Sequence, residues 1–419
     1  MRKLVHVIGA GLAGLAAAVQ LQRRGAQVAL YEAAEQAGGR CRSYYDRTLG
    51  ATVDSGNHVV VSGNHATLNY VRAIGAGDEL VGPTQPELNF IDVATRMRWT
   101  VRPSPGRVPF WMLDPAARVP HTHAGDYLTL VPLLFAKPGR TLAQTMRCNG
   151  VLWDRMLGPL LTVMMNVDPR DGTAELAATA VRETLATGGD AYRPLVARRG
   201  LSSAFVDPAL RLLQHGGATI RLGARLDAIE FADGRVTALQ VAGERIVLED
   251  GEAAVLAVPP PVAQALVPDI QAPQRFSPMV TAHFAIEPPE GQPPTAALIN
   301  GNAHWLAAAD GRLSATAHGA ERLAGMPRDA LAQTLWTDVA QATGLPAQPM
   351  PIWQICVEPH ATFAAVPDEE MRRPSARTRW NNLMLAGDWT ATGLPATIEG
   401  AIRSGQKAAD LLLNEPMGR

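Results

Sequence analysis

The stretch LVHVIGAGLAGLAAAVQLQRRGAQVALYE, residues 4–32, decides the fold. Leu4 to Ile8 is a short apolar, valine-rich run that stops at glycine, the pattern of a buried parallel strand. Leu12 to Arg24 follows with apolar residues at helical spacing and no proline. Gly25 then ends that helix as a C-terminal glycine does. Val28 to Tyr31 is a second strand, closing at Glu32. Together these predict a βαβ unit of about thirty residues.

Within it, Gly9-Ala10-Gly11-Leu12-Ala13-Gly14 fits GxGxxG directly after a strand and at the opening of a helix, the context that the motif needs. Gly9 permits the tight turn, Gly11 lets the backbone approach a pyrophosphate, and Gly14 lets helix and strand pack closely. The helix start at Leu12 and Ala13 offers N–H groups and a partial positive charge to phosphates. Glu32, eighteen residues after Gly14, suits the hydroxyls of a ribose and disfavours a phosphorylated one. The set predicts a dinucleotide without separating NAD from FAD.

Working outward, 419 residues exceed the roughly 250–300 at which single cores stop growing, so two domains are expected. Hydrophobic residues are 47% and charged residues 18%, enough for large cores and too apolar for bulk disorder. The net charge is -1 without a basic run, which removes nucleic acid as an expected partner. Cys41, Cys148 and Cys356 are few, odd in number and far apart. They are expected as free thiols in a reducing compartment, with no metal spacing among them. Met1-Arg2-Lys3 and the alanine-rich stretch after it imitate a secretory leader, but the fixed glycines mark a structural unit instead. No window reaches the ~18 uncharged apolar residues of a membrane span.

Further along, frequent prolines between about 83 and 140 predict loops and short strands in another layer. Leu142 to Val167 and Ala174 to Ala186 read as helices. Strands return at Thr219 to Leu222, Leu226 to Phe231, Val236 to Val241 and Ala253 to Val258, with an Asp233-Gly234 hairpin turn. Pro259 to Pro289 marks a second crossing between layers. Leu383 to Ala386 is a last strand, and Thr397 to Leu413 a last helix.

Two sets of residues then carry a resemblance. Glu32 through Arg42, containing Gly38-Gly39-Arg40, resembles the N-terminal signature of the flavin-dependent amine oxidase and phytoene desaturase superfamily. Gly387-Asp388 at a strand end, before Pro395-Ala396-Thr397-Ile398-Glu399-Gly400, resembles its C-terminal counterpart. The resemblance implies FAD as cofactor and an α/β fold, a Rossmann-type FAD-binding domain with an inserted mixed α+β substrate domain. The expected division is 1–64, 196–273 and 376–419 for the first and 65–195 and 274–375 for the second. It also implies that Gly38, Gly39 and Arg40 back the pyrophosphate and flavin edge, that Gly56 borders the flavin, and that Leu226 meets the adenine. Gly387 and Asp388 would hold the pyrophosphate or ribityl chain, and Thr397 and Ile398 would open a helix aimed at the flavin's pyrimidine end. Glu399 is awkward there and is expected to cap the first turn or to face the ribityl hydroxyls.

More narrowly, the stretches 38–76 and 387–409 resemble the hydroxysqualene dehydroxylase family, a squalene-associated, FAD-dependent branch from hopanoid biosynthesis. That resemblance implies reductive removal of the allylic hydroxyl of hydroxysqualene, a lipophilic substrate. His58 and, second to it, Asn57 are the candidates to serve the leaving hydroxyl; the competing role for His58 is a hydrogen bond to the flavin or to a backbone carbonyl. Tyr127 to Phe135 and Leu152 to Val167, with Trp111, Trp153, Met156, Met164 and Met165, are candidate walls of an apolar tunnel, with ordinary core as the alternative. Such a substrate points to a cytoplasmic protein with peripheral contact on the inner face of the membrane. Two other readings stay open: a polyene desaturase or amine oxidase working the flavin in the opposite direction, and a flavin-loaded binding module without chemistry.

Overall fold

The computed structural model describes residues 3–309 and 311–414. Positions 1–2 and 415–419 of the expected nucleotide domain lie outside them, as does the beginning of the leader-like stretch.

Five parallel strands form one sheet in the order Thr219–Arg221, Gln27–Tyr31, Leu4–Ile8, Ala253–Leu256, Leu383–Leu385. Val5 pairs with Val28 on one side and Ala253 on the other. Strands covered on both faces need apolar residues at nearly every position, which is why they read as continuous runs. The Leu12–Arg23 helix lies on this sheet and packs along the final helix, Ile398–Asn414. That contact is close because position 405 is glycine: a Cβ there would stand 2.0 Å from the Ala13 carbonyl oxygen. The two ends of the chain thus share one core, with Ile402 and Leu15 both fully buried.

The second sheet has seven strands, ordered Trp353–Phe363, Phe276–Ala285, Arg312–His318, Trp305–Ala309, Thr295–Ile299, Leu88–Asp92, Arg98–Val101. Strand alternation divides it into two unlike faces. Val280, Ala282, Leu313, Ala315 and Ala317 face one way, into a core closed by the Arg328–Thr343 helix and its buried Trp336. On the other face one cross-strand row runs Cys356, Thr281, Thr316, Trp305, Ala297, Phe90, Trp99. That row is polar at one end and apolar at the other.

Two expectations need correction. The helix foreseen over 142–167 is broken: a Thr141-capped turn covers Leu142–Thr145, and helical structure resumes only around residue 151. Asn149-Gly150 lies in the gap, with Gly150 at φ 90°. Tyr127 to Phe135 is not a wall throughout, since Tyr127, Leu130 and Leu133 are buried while Leu128, Val131 and Phe135 face outward. The proline-rich span 259–289 does carry the chain from the parallel sheet into the second one, through the Pro260–Leu266 helix and the whole of the Phe276–Ala285 strand. The other foreseen strands and helices are found to within three residues at their ends. Asp233 and Gly234 both take positive φ, 50° and 73°, as their hairpin turn requires. Among the described residues no helix is long and apolar enough to cross a membrane.

Candidate cofactor and active site

The glycine turn is tightly packed at its first and third glycines and open at its second. Gly9 has φ 99°, and a Cβ on it would stand 2.3 Å from the Ala257 carbonyl oxygen. A Cβ on Gly14 would stand 1.8 Å from the Gly9 carbonyl oxygen. Gly11, the N-cap of the Leu12–Arg23 helix, has nothing within 4 Å of that position. Two glycines are therefore demanded by packing, and the middle one borders open space. Leu12 and Ala13 follow as the first helical residues, their side chains buried beneath the turn.

Glu32 folds back over this turn, its Oε2 accepting from the Ala10 N–H at 2.7 Å and its Oε1 from the Ala34 N–H at 3.0 Å. Each oxygen retains a lone pair for a further donor. The Gly38 N–H donates to the Ala10 carbonyl at 2.8 Å, and Gly39 comes so near that its Cβ would lie 3.5 Å from the Gly11 Cα. Residues 221–224 run alongside, the Ala224 N–H donating to the Glu32 carbonyl at 2.7 Å. Leu226, buried, begins the next strand and pairs with Val241.

Arg40 reaches across from the same loop. One Nη meets both oxygens of Asp388, at 2.7 and 2.8 Å, and the other donates to the Ala361 carbonyl at 2.6 Å. Gly387 precedes Asp388 and donates its N–H to Ser404 Oγ at 2.8 Å, tying the strand end to the final helix. Thr397 caps that helix, its Oγ1 accepting from the Gly400 N–H at 3.0 Å, with Ile398 as the first helical residue. Arg373, which the sequence did not single out, is buried and braces this loop: it donates to the carbonyls of Asp388 and Thr390 and to Thr392 Oγ1.

Glu399 departs from its expected role. Its carboxylate accepts from the N–H groups of Ala66 and Thr67, from Thr67 Oγ1 and from Arg403 Nε. It thus caps another helix, His65–Ala73, and is 2% exposed. The second position of the final helix points at that neighbour, which explains how a buried carboxylate is tolerated there.

Residues 54–58 bring the two sheets together. The Asp54 carbonyl meets His283 Nε2 at 3.2 Å, and the Ser55 carbonyl meets Cys356 Sγ at 3.2 Å. Gly56 is buried against Thr281 and the His58 ring. Asn57 Nδ2 donates to Thr316 Oγ1 at 3.0 Å, so Asn57 is held by the polar end of the cross-strand row. His58 Nδ1 lies 2.9 Å from the Gly56 carbonyl and must be the protonated nitrogen of the neutral ring. Nε2 is then left as its acceptor.

Three more histidines share this face. His283 Nδ1 contacts Ser314 Oγ at 2.8 Å. The His318 N–H donates to His304 Nδ1 at 3.0 Å, and the two rings stand 6.0 Å apart. Burial lowers the pKa of all four imidazoles, that of His283 to about 4 and that of His318 to about 3, the latter helped by repulsion from His304 and His58. Among the described residues His318 Nδ1 and the indole nitrogens of Trp99 and Trp305 are buried without a protein partner. Such groups are costly unless something else meets them. Their one signal in the sequence was the alternation of Ser314, Thr316 and His318 with Leu313, Ala315 and Ala317. A surface depression of about 550 Å³ beside Gln271 and Arg372 contains none of these residues, and the convergence of hydrogen bonds is the stronger guide to the site. Among the described residues no cluster could hold a metal ion.

A parallel sheet ending in a glycine turn, facing a second sheet through a shared loop, defines a two-domain, dinucleotide-dependent oxidoreductase. The comparisons narrow this. The model for flavin containing amine oxidoreductases matches residues 12–413. Hydroxysqualene dehydroxylases from Rhodopseudomonas palustris and Sinorhizobium fredii are 48% and 46% identical, each aligned over 99% of both chains. One from Zymomonas mobilis is 41% identical over 98% of this chain and 99% of its own. In fold alone, the chain is similar to putrescine oxidase (TM-score 0.71, 16% identity, 99% and 100% covered). It is likewise similar to cyclohexylamine oxidase from Brevibacterium oxydans (TM-score 0.72, 16% identity, 98% and 99% covered). The chain belongs to the flavin-containing amine oxidoreductase family and, within it, to the hydroxysqualene dehydroxylases.

Proposed function

We propose that the protein removes the allylic hydroxyl of hydroxysqualene reductively, giving squalene and water, with FAD as cofactor, as a step of hopanoid biosynthesis. The residues fit the cofactor: the open side of Gly11 admits a pyrophosphate where a Cβ would stand, and Glu32 keeps lone pairs for ribose hydroxyls. Leu12, Ala13, Gly38, Gly39 and Arg40 would surround the phosphates, Asp388 and Gly387 the sugar chain, and Leu226 the adenine. Gly56, Thr397 and Ile398 would border the ring system. When bound and reduced, FAD supplies the hydride that replaces the hydroxyl on carbon.

The chain's own task is to supply a proton to the departing oxygen and to keep the reacting carbon dry. His58 is the residue assigned to the proton. With Nδ1 committed to the Gly56 carbonyl, Nε2 is the atom that gains and passes it. Burial makes the ring a stronger acid when protonated and keeps it mostly neutral near pH 7. The C–O bond breaks as that proton reaches the hydroxyl, so the rate rises as pH falls toward the pKa of His58. Asn57, fixed by Thr316, orients the loop. The unpartnered N–H of Trp305 is placed to receive the oxygen of a ligand on this face. Phe90, Trp153, Met156 and Met165, all buried in one apolar cluster, are the residues we assign to the hydrocarbon wall.

The observation that carries this reading is the carbonyl-anchored imidazole at the polar end of an otherwise apolar face, in a chain 41–48% identical to its relatives. It is tested anaerobically, by reducing the protein, adding hydroxysqualene, and following the oxidised flavin spectrum together with squalene. Unchanged single-turnover reoxidation in His58→Ala would take His58 out of the mechanism.

A further inference from the structure

Of thirteen large hydrophobic side chains that stand exposed among the described residues, seven lie between residues 108 and 151. Phe135 is 78% exposed, Leu128 68%, and Phe110 and Leu113 each 65%. They sit on or beside three consecutive helical turns, Phe110–Leu113, Ala124–Leu130 and Val131–Leu134. Each turn also sends a residue inward: Trp111, Tyr127 and Leu133 are buried, the first two packed edge to face at 5.2 Å. These inward residues belong to the same apolar cluster as Phe90 and Trp305 on the site face. A segment apolar on both sides satisfies only one of them in its own core.

Charge says what meets the other side. Residues 101–150 contain six lysines and arginines, of which Arg102 pairs with Glu87, against two aspartates, in a chain whose net charge is -1. Both aspartates are occupied by local turns, Asp114 accepting from the Ala116 N–H and Asp126 from the His123 N–H. Arg107, Lys137, Arg140 and Arg147 are exposed. Apolar tips among uncompensated cations are the complement of an anionic lipid surface.

We propose that this patch docks the protein on a bilayer containing anionic lipid, with Leu128, Phe135 and their neighbours inserted at the boundary of headgroups and acyl chains. The patch then lets an apolar substrate pass from hydrocarbon toward the site without crossing water, a role that rests on the reaction proposed above.

The test is flotation of the FAD-loaded enzyme with phosphatidylcholine vesicles, with and without phosphatidylglycerol. Wild type floats with the anionic vesicles, less so as salt is raised. Leu128→Ser/Phe135→Ser and, separately, Lys137→Glu/Arg140→Glu weaken partitioning by about tenfold or more. Val247→Ser, which removes an exposed side chain from the Glu244–Val247 strand, outside the patch, has no effect. Both double variants keep turnover of detergent-dispersed hydroxysqualene and lose turnover of substrate supplied in vesicles. Equal flotation of wild type and Leu128→Ser/Phe135→Ser would overturn the proposal. So would a wild type that ignores vesicles and instead forms a dimer which that variant dissociates. Flotation without turnover in detergent would overturn the reaction and leave the docking standing.

Discussion

Arg40 and Asp388 are separated by 348 positions and share a two-oxygen ion pair at 2.7 and 2.8 Å. Asp388 is 5% exposed, whereas the Arg40 side chain is 45% exposed. The aspartate is therefore the member that cannot turn to water when its partner is removed. Arg40→Ala should cost roughly 2 kcal/mol, below the 3–5 of a fully buried pair because solvent reaches the guanidinium. It should also lower retained flavin. Arg40→Lys should restore little, since an ammonium cannot serve the carboxylate and the Ala361 carbonyl in one plane. Melting temperature and flavin content, measured in a cycle with Asp388→Asn, check this; additive losses would mean that the two residues do not act as a pair.

The glycine turn separates folding from binding. Gly14→Ala should cost about 3 kcal/mol or more, because its Cβ would collide with the Gly9 carbonyl oxygen, a backbone atom. Gly11→Ala should leave the flavin-free protein within about 0.5 kcal/mol of wild type, since the position is extended at φ -72°, ψ 176° and its surroundings are open. The same methyl group should weaken FAD binding by at least about tenfold by occupying the approach to the pyrophosphate. Urea unfolding of the flavin-free proteins and titration with FAD distinguish the two; a Gly11→Ala protein that binds FAD normally would move the phosphates elsewhere.

These contrasts also explain what the sequence could and could not reveal. The first βαβ unit is legible because Gly9 and Gly14 answer to the turn itself, the one through its φ of 99° and the other through its contact with the Gly9 carbonyl, and local demands leave motifs. Asp388 is legible for the same reason, as a residue at the end of a buried strand. The seven-stranded sheet is not, because Thr295–Ile299 and Trp305–Ala309 are built largely of alanine, which has little preference for strands. Alanine serves in the first of them because that strand is buried throughout. The histidines on that sheet were consequently hard to read: alternation set His318 on a polar face of its own strand, but nothing joined residue 283 to that face until the register was known. Arg373 was hidden differently: besides Glu370 and Thr392 Oγ1 its acceptors are the carbonyls of Asp388 and Thr390, which carry no residue identity.

Glu399 supports the helix at His65–Ala73 from a distance of 333 positions. Glu399→Ala should cost roughly 3–5 kcal/mol, the range for breaking a buried charged network, because two N–H groups, the Thr67 hydroxyl and Arg403 all lose their acceptor. Glu399→Gln, retaining one acceptor oxygen, should cost about half of that. Flavin content per folded molecule should be unchanged in both, since the carboxylate faces the helix and not the phosphate turn. A specific loss of flavin at normal melting temperature would return Glu399 to the cofactor site.

The buried histidines make stability depend on pH in a defined direction. An unfolded imidazole titrates near 6.5, whereas His283 in the folded protein titrates near 4 and His58, His304 and His318 are also lowered, burial being the foremost cause in each case. Below pH 6.5 the unfolded chain thus binds protons that the folded chain refuses, so stability is complete above that pH and falls as the solution is acidified. His283, 1% exposed, should alone account for roughly 3 kcal/mol lost between pH 6.5 and 4. Its ring is held by Ser314 and the Asp54 carbonyl, with Arg312 opposing its charge and Asp46 favouring it. Urea midpoints measured from pH 8 to pH 4 should therefore decline below pH 6.5 in wild type and decline less in His283→Gln. Parallel curves for the two proteins would show that His283 takes up its proton in the folded state as readily as in the unfolded one.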